Sequence, residues 1–210
     1  MYLKDDLSWR YAVQVFDSQA TLSKNDIDQI IEVFRLAPSS FGLQPWKLIV
    51  IENKDIQKSL VPVSYNQAKI ADASALLVLA YRKNIDEQYA IDHVENTAKT
   101  TGASLESLES YKNSLLGFVN NTPEEHKNAW AKNQVYLAAG VLVAHLAQQH
   151  IDACCMEGFS SADYDRILLD AQNYSSAVII PIGKRNESDL FSKSPKTRFS
   201  TDIISQRITS

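Results

Sequence analysis

Residues Ala37–Ile51, APSSFGLQPWKLIVI, decide how the rest of the chain is read. Ahead of them Ile27, Ile30, Ile31 and Phe34 recur at helical spacing, and the pattern stops at Pro38. Proline has no N–H and clashes with a helical turn before it. Ser39, Ser40 and Gly42 then supply hydroxyls, free amides and a permissive backbone, and Pro45-Trp46 turns the chain into an apolar strand, Leu48 to Ile51. A helix end, a small polar loop and a buried strand together can present donors to an anionic or polar ligand from a rigid base. The same residue types also make ordinary connecting loops, so the neighbours have to decide.

Towards the N-terminus, Asp5 to Arg10 closes a short first helix, and Ser23 caps the second with Asp26 three residues on. Beyond the central stretch a short helix is expected over about 53–60. The continuous apolar run SALLVLAY, Ser74 to Tyr81, fits a strand covered on both faces. Residues 86–120 are polar with few apolar anchors and read as a helical excursion. Thr122-Pro123-Glu124-Glu125 reads as a helix start, with Thr122 as cap, Pro123 in the first turn and Glu125 completing a capping box. Val135, Ala139, Leu142, Val143 and Leu146 form one face of that helix. Its small residues elsewhere predict a helix buried all round, at the centre of a domain or of a dimer. A helix over 161–171, a strand at Ala177–Ile182 and an arm over about 186–210 complete a single domain spanning 1–210. Strands alternating with helices, without hairpin signals, predict an α+β fold: a mixed sheet flanked by helices.

With 210 residues, 45% apolar and 22% charged, the composition is that of an ordinary globular chain. A net charge of −4 gives no basis for nucleic-acid binding. No apolar stretch is long enough for a bilayer, and the charged N-terminus lacks a signal-peptide core. Cys154 and Cys155 are adjacent, poor geometry for a structural bridge, which predicts reduced thiols and a cytoplasmic location. Neither a G-x-G-x-x-G nor a P-loop motif occurs, and the four histidines form no metal-ligand spacing, so no metal site is expected.

Five motifs in order, WRYAVQVFD, PSS with QPW, NQAKIADAS, MEGF and SPKTRF, resemble the nitroreductase family of FMN-dependent oxidoreductases. The likeness is greatest to the oxygen-insensitive nitroreductase and dihydropteridine reductase branch, and it spans nearly the whole chain. It implies FMN at a homodimer interface. Arg10, Lys196 and Arg198 would grip the phosphate, for which guanidinium forks and an ammonium are chemically apt. Asn66 and Lys69 would contact the flavin ring, an amide for its N–H and carbonyl and a cation for charge on the reduced ring. The backbone N–H groups of Glu157-Gly158, beside Met156, would face N5 and O4. The loop of Pro38, Ser39 and Ser40 would reach the flavin of the second subunit.

Four positions depart from the family pattern. Ala12 stands where relatives usually have a serine, Gln14 where a lysine is common, Gly42 where asparagine is frequent, and Cys155 where proline is usual. All four are placed at the flavin, with the affinity and potential open to change. The implied reaction is ping-pong: hydride passes from NADH or NADPH through flavin N5 to a nitroaromatic, quinone, pteridine or flavin acceptor. Alternatives are a flavin-binding carrier or sensor without turnover, and a flavin-free dimeric domain.

Overall fold

A computed structural model describes residues 3–209, so the ends of the expected 1–210 domain, residues 1, 2 and 210, lie outside the described residues. Four strands form one sheet in the order β1-β2-β4-β3: β1 (Trp46–Ile51), β2 (Ala75–Arg82), β3 (Asp152–Ala153) and β4 (Tyr174–Gly183). Each neighbouring pair is antiparallel. A bridge from Ala12 to Ala153 adds a parallel contact at the β3 edge. Among the described residues no two strands meet through a tight hairpin, because helices intervene between sequence neighbours.

The apolar run of β2 is explained by its two covered faces. Ala75, Leu77 and Leu79 point to one side, where α2 (Lys24–Leu36) and α7 (Glu124–Gln148) pack. Leu76 and Val78 point to the other, beneath α3 (Lys54–Leu60) and α8 (Ser161–Leu168). Successive strand side chains alternate faces, and each fully buried Leu or Val among them contributes about 1.5–3 kcal/mol. A bulge between Leu79 and Ala80 shifts the register against β4 and puts Ala177 and Val178 into the same cluster. At the far end of β4, a Cβ on Gly183 would come within 2.8 Å of the Ser74 hydroxyl. The strand end therefore packs too closely for a side chain.

The remaining elements are α1 (Leu3–Trp9), α4 (Lys69–Asp72), α5 (Glu87–Thr101), α6 (Glu109–Asn121) and α9 (Thr201–Ile204), with short 3-10 turns at Ser40–Gly42, Pro62–Ser64 and Leu190–Lys193. The capping box of α2 forms as expected, Ser23 and Asp26 satisfying each other's backbone N–H. Ile31, however, is exposed; only Ile27, Ile30 and Phe34 of the periodic set are buried.

Three further expectations are corrected. Thr122 does not cap α7. Helix α6 runs on to Asn121, and the Thr122 N–H bonds the Phe118 carbonyl (3.1 Å), leaving Pro123 at the N-cap with no side-chain cap. Helix α7 is not buried all round within the chain: Leu137 and Gly140 are exposed and Val141 and Ala144 only half-buried. Nor does the 86–120 region lack anchors. Ala90, Val94, Leu115 and Val119 of α5 and α6 close a cluster of their own over Leu43, Ile85 and Ala131.

Candidate active site

A cavity of about 600 Å3 opens between the segment leaving α1 and the C-terminal arm. Arg10, Ala12 and Gln14 line it from one side, Lys196 and Arg198 from the other. The two segments are joined by Lys196, whose Nζ donates to the carbonyls of Leu7 (2.9 Å) and Arg10. Those carbonyls lie at the end of α1, where no intrahelical donor reaches them. Desolvation, followed by the charges of Arg10 and Arg198, lowers the Lys196 pKa. Three cations facing one opening disfavour one another, and an anion among them relieves that repulsion.

The cavity floor is held by residues the sequence did not single out. Asp189, 1% exposed, accepts from the backbone N–H groups of Gln14 (2.8 Å), Val15 (3.1 Å) and Phe191 (3.0 Å). Desolvation pushes its carboxyl pKa up, but those N–H bonds outweigh it and the net shift is downward. The Arg185 guanidinium stacks 4.3 Å from the Trp9 ring centroid and 4.6 Å from that of Tyr11. Asp152 holds it, accepting from Arg185 Nε and from its backbone N, each at 2.8 Å. The Tyr11 hydroxyl is buried beside the cavity near the Asp189 carboxylate; burial first, and then that carboxylate, push its pKa up to about 12.

Next along the wall, Lys69 Nζ donates to Gln14 Oε1 (2.6 Å) and lies 3.8 Å from Cys154 Sγ. Gln14 Nε2 in turn donates to the Ala12 carbonyl (2.7 Å). Instead of a second cation, Gln14 thus supplies an acceptor that orients the ammonium. Cys154 is buried and Cys155 exposed, both as free thiols. Met156 is buried in the core, its backbone bridged to Ile179, and it does not line the cavity. Glu157 and Gly158 follow with backbone N–H groups that have no acceptor among the described residues. The Glu157 carboxylate instead takes the Tyr136 hydroxyl of α7. Asn66 is exposed in a left-handed conformation (φ 57°), as is Tyr65 before it (φ 53°).

The loop of Pro38, Ser39, Ser40 and Gly42 stands apart. No hydrogen bond joins it to the cation cavity among the described residues. Phe41, Gly42 and Gln44 all take positive φ (57°, 67° and 47°), which for the two side-chain-bearing residues stores on the order of 1–3 kcal/mol each. The surrounding helices hold this conformation. Gln134 accepts from the Ser40 N–H (2.8 Å), Tyr111 donates to the Phe41 carbonyl (2.5 Å), and Tyr89 to that of Leu43 (2.8 Å). Tyr111→Phe, which removes the bond to the Phe41 carbonyl together with one to His93 Nε2 (2.7 Å), is expected to destabilise the chain by about 1–3 kcal/mol, read as a lower urea midpoint with unchanged slope. An unchanged midpoint would show that the loop does not depend on the Tyr111 hydroxyl.

The fold is therefore a helix-flanked antiparallel sheet with a cationic cleft at one edge and a separately braced polar loop. The family model described as "Nitroreductase family" matches residues 7–184, and the chain belongs to that family. A Staphylococcus haemolyticus protein named "Putative NAD(P)H nitroreductase" is 31% identical over 189 residues, covering 86% of this chain and 87% of that one. A crystal structure of a Bacillus subtilis protein of like designation superposes with a TM-score of 0.87 at 25% identity, covering 98% of each chain. Another from Exiguobacterium sibiricum, solved in complex with FMN, has a TM-score of 0.83 at 19% identity and covers 99% of this chain and 98% of its own.

Proposed function

We propose that this chain is an FMN-dependent oxidoreductase using NADH or NADPH and acting as a homodimeric, nitroreductase-like single domain. The observation that carries the reading is the convergence of Arg10, Lys196 and Arg198, from opposite ends of the sequence, on one cavity. A dianionic phosphate matches that donor set. Lys69, oriented by Gln14, and exposed Asn66 would border the flavin's pyrimidine edge, and the free N–H groups of Glu157 and Gly158 its N5 side. When bound, FMN supplies a ring that accepts a hydride from NAD(P)H and passes it, in ping-pong order, to a nitroaromatic, quinone, pteridine or flavin acceptor. The protein's part is to bind the phosphate, orient the ring and place a fixed cation and fixed N–H donors around it.

Two features support the dimer. The stripe Leu137, Gly140, Val141 and Ala144 on α7 is incompletely covered within the chain, and stripes of small apolar residues suit close helix approach. The braced Ser39–Gln44 loop does not line the chain's own cavity, which fits a site built from two subunits.

The test is the visible spectrum of purified protein, anaerobically, before and after NADH and then NADPH. A yellow protein that bleaches with either and recovers on adding a quinone is expected. Bleaching without recovery would favour a carrier or sensor. A colourless protein that takes up no FMN would defeat the reading.

A further inference from the structure

Accepting the flavin reading, on which this inference rests, we propose that Gln67 is a positioning residue that aims the Gly158 N–H at the flavin N5 side and so sets the balance between oxidised and reduced FMN. Gln67 sits between Asn66 and Lys69, yet its side chain does not face the same way. Its Nε2 donates to the Gly158 carbonyl (2.9 Å) and to the Ser64 carbonyl (3.1 Å). One amide group thereby ties the turn after β3 to the turn before α4, two segments 91 residues apart.

The consequence for the Glu157–Phe159 turn follows from its remaining bonds. The Phe159 N–H donates to the Glu157 carbonyl (2.9 Å), so that carbonyl is occupied. In a trans peptide the N–H points opposite to the carbonyl of the same unit, and the Gly158 N–H is therefore turned away from Phe159, without an acceptor among the described residues. Tyr136 fixes the Glu157 carboxylate and Gln67 fixes the Gly158 carbonyl. The donor is thus clamped from both sides. The absence of a side chain at Gly158 is part of the arrangement: a Cβ there would stand 3.2 Å from Gln67 Nε2 and 3.6 Å from the Tyr65 ring. A larger residue would push away the amide that holds the turn.

A donor held towards N5 discriminates between redox forms. Oxidised N5 offers an in-plane lone pair, whereas reduced N5 carries a hydrogen there. Loss of alignment weakens the oxidised complex and leaves the reduced one nearly as before. A mere packing residue would weaken both equally.

The experiment measures dissociation constants for oxidised and for reduced FMN in the parent chain, Gln67→Met and Gln67→Leu, both apolar and of similar volume. Two apolar replacements are made so that one folded variant suffices, with folding checked by cooperative unfolding of each. Oxidised FMN is expected to bind about tenfold more weakly in either variant, with the reduced form within about twofold of the parent. A tenfold change in that ratio corresponds to a two-electron potential about 30 mV higher. Equal weakening of both forms, or none, would overturn the assignment of Gln67 while leaving the flavin reading intact. Failure of the parent chain to bind FMN would overturn that reading and the inference with it.

Discussion

Arg198→Ala is expected to bind FMN about a hundredfold more weakly than the parent, while riboflavin, which lacks the phosphate, binds almost as before. Charge-assisted hydrogen bonds contribute about 1.5–3 kcal/mol each, and a hundredfold is about 2.7 kcal/mol. Arg198 suits the test because, among the described residues, it bonds only the neighbouring Thr197 carbonyl (2.6 Å), so its removal leaves little else undone. Lys196 is a poorer choice, since it also straps the arm to the carbonyls of Leu7 and Arg10. Flavin fluorescence titrations at two salt concentrations check the result, the FMN difference shrinking with salt because Arg198 is exposed. Equal losses for FMN and riboflavin would show that the residue does not act on the phosphate.

The second large effect is on stability. Asp152→Ala is expected to cost about 3–5 kcal/mol, because it leaves the Arg185 guanidinium, held between Trp9 and Tyr11, without its counter-charge. Asp152 is 5% exposed, so water cannot readily replace it. For a chain of this size each kcal/mol moves the unfolding temperature by roughly 2–4 °C. Replacing both partners, Asp152→Ala with Arg185→Met, should recover much of the loss, since no unpaired charge remains. If the double variant were no more stable than the single one, packing rather than charge would explain the cost. Thermal unfolding of the three chains side by side decides it.

Much of the fold was legible because burial on two faces leaves a plain mark. The continuous run from Ala75 to Ala80 could only be a covered strand or a buried helix, and its length settled the matter. Ser23 with Asp26 marked a helix start through local bonds alone. Thr122 misled for the same local reason: a polar residue before Pro-Glu-Glu resembles a cap, but the preceding helix had already claimed its backbone. The anchors of α5 and α6 were missed because each helix buries only one i,i+4 pair, Ala90 with Val94 and Leu115 with Val119, and three of the seven buried residues of the cluster, Leu43, Ile85 and Ala131, come from elsewhere.

At the site, the cations were found by likeness of motif rather than by pattern, since nothing in a sequence brings Arg10 to Lys196. Asp152, Asp189 and Gln67 escaped notice because their partners lie far along the chain, and each looks like an ordinary surface residue when read alone. Read alone, Asp189 stands four residues from both Arg185 and Lys193 and so looks like one member of a surface ion pair.

The cluster beneath α5 and α6 meets the main core through Tyr81, which borders both, and through the start of α7, which lends it Trp130 and Ala131. Such a unit can open on its own, at a free energy below that of the whole molecule, with the sheet still intact. Its amides would then exchange with solvent as one group, sooner than those of β2 or β4. Because Tyr89 and Tyr111 leave with it, the Ser39–Gln44 backbone would relax from its left-handed conformations in the same event. Whatever binds against that loop draws on this local equilibrium, tightening the helical pair as it binds. Occupancy would therefore be written in the protection of amides that never touch the ligand.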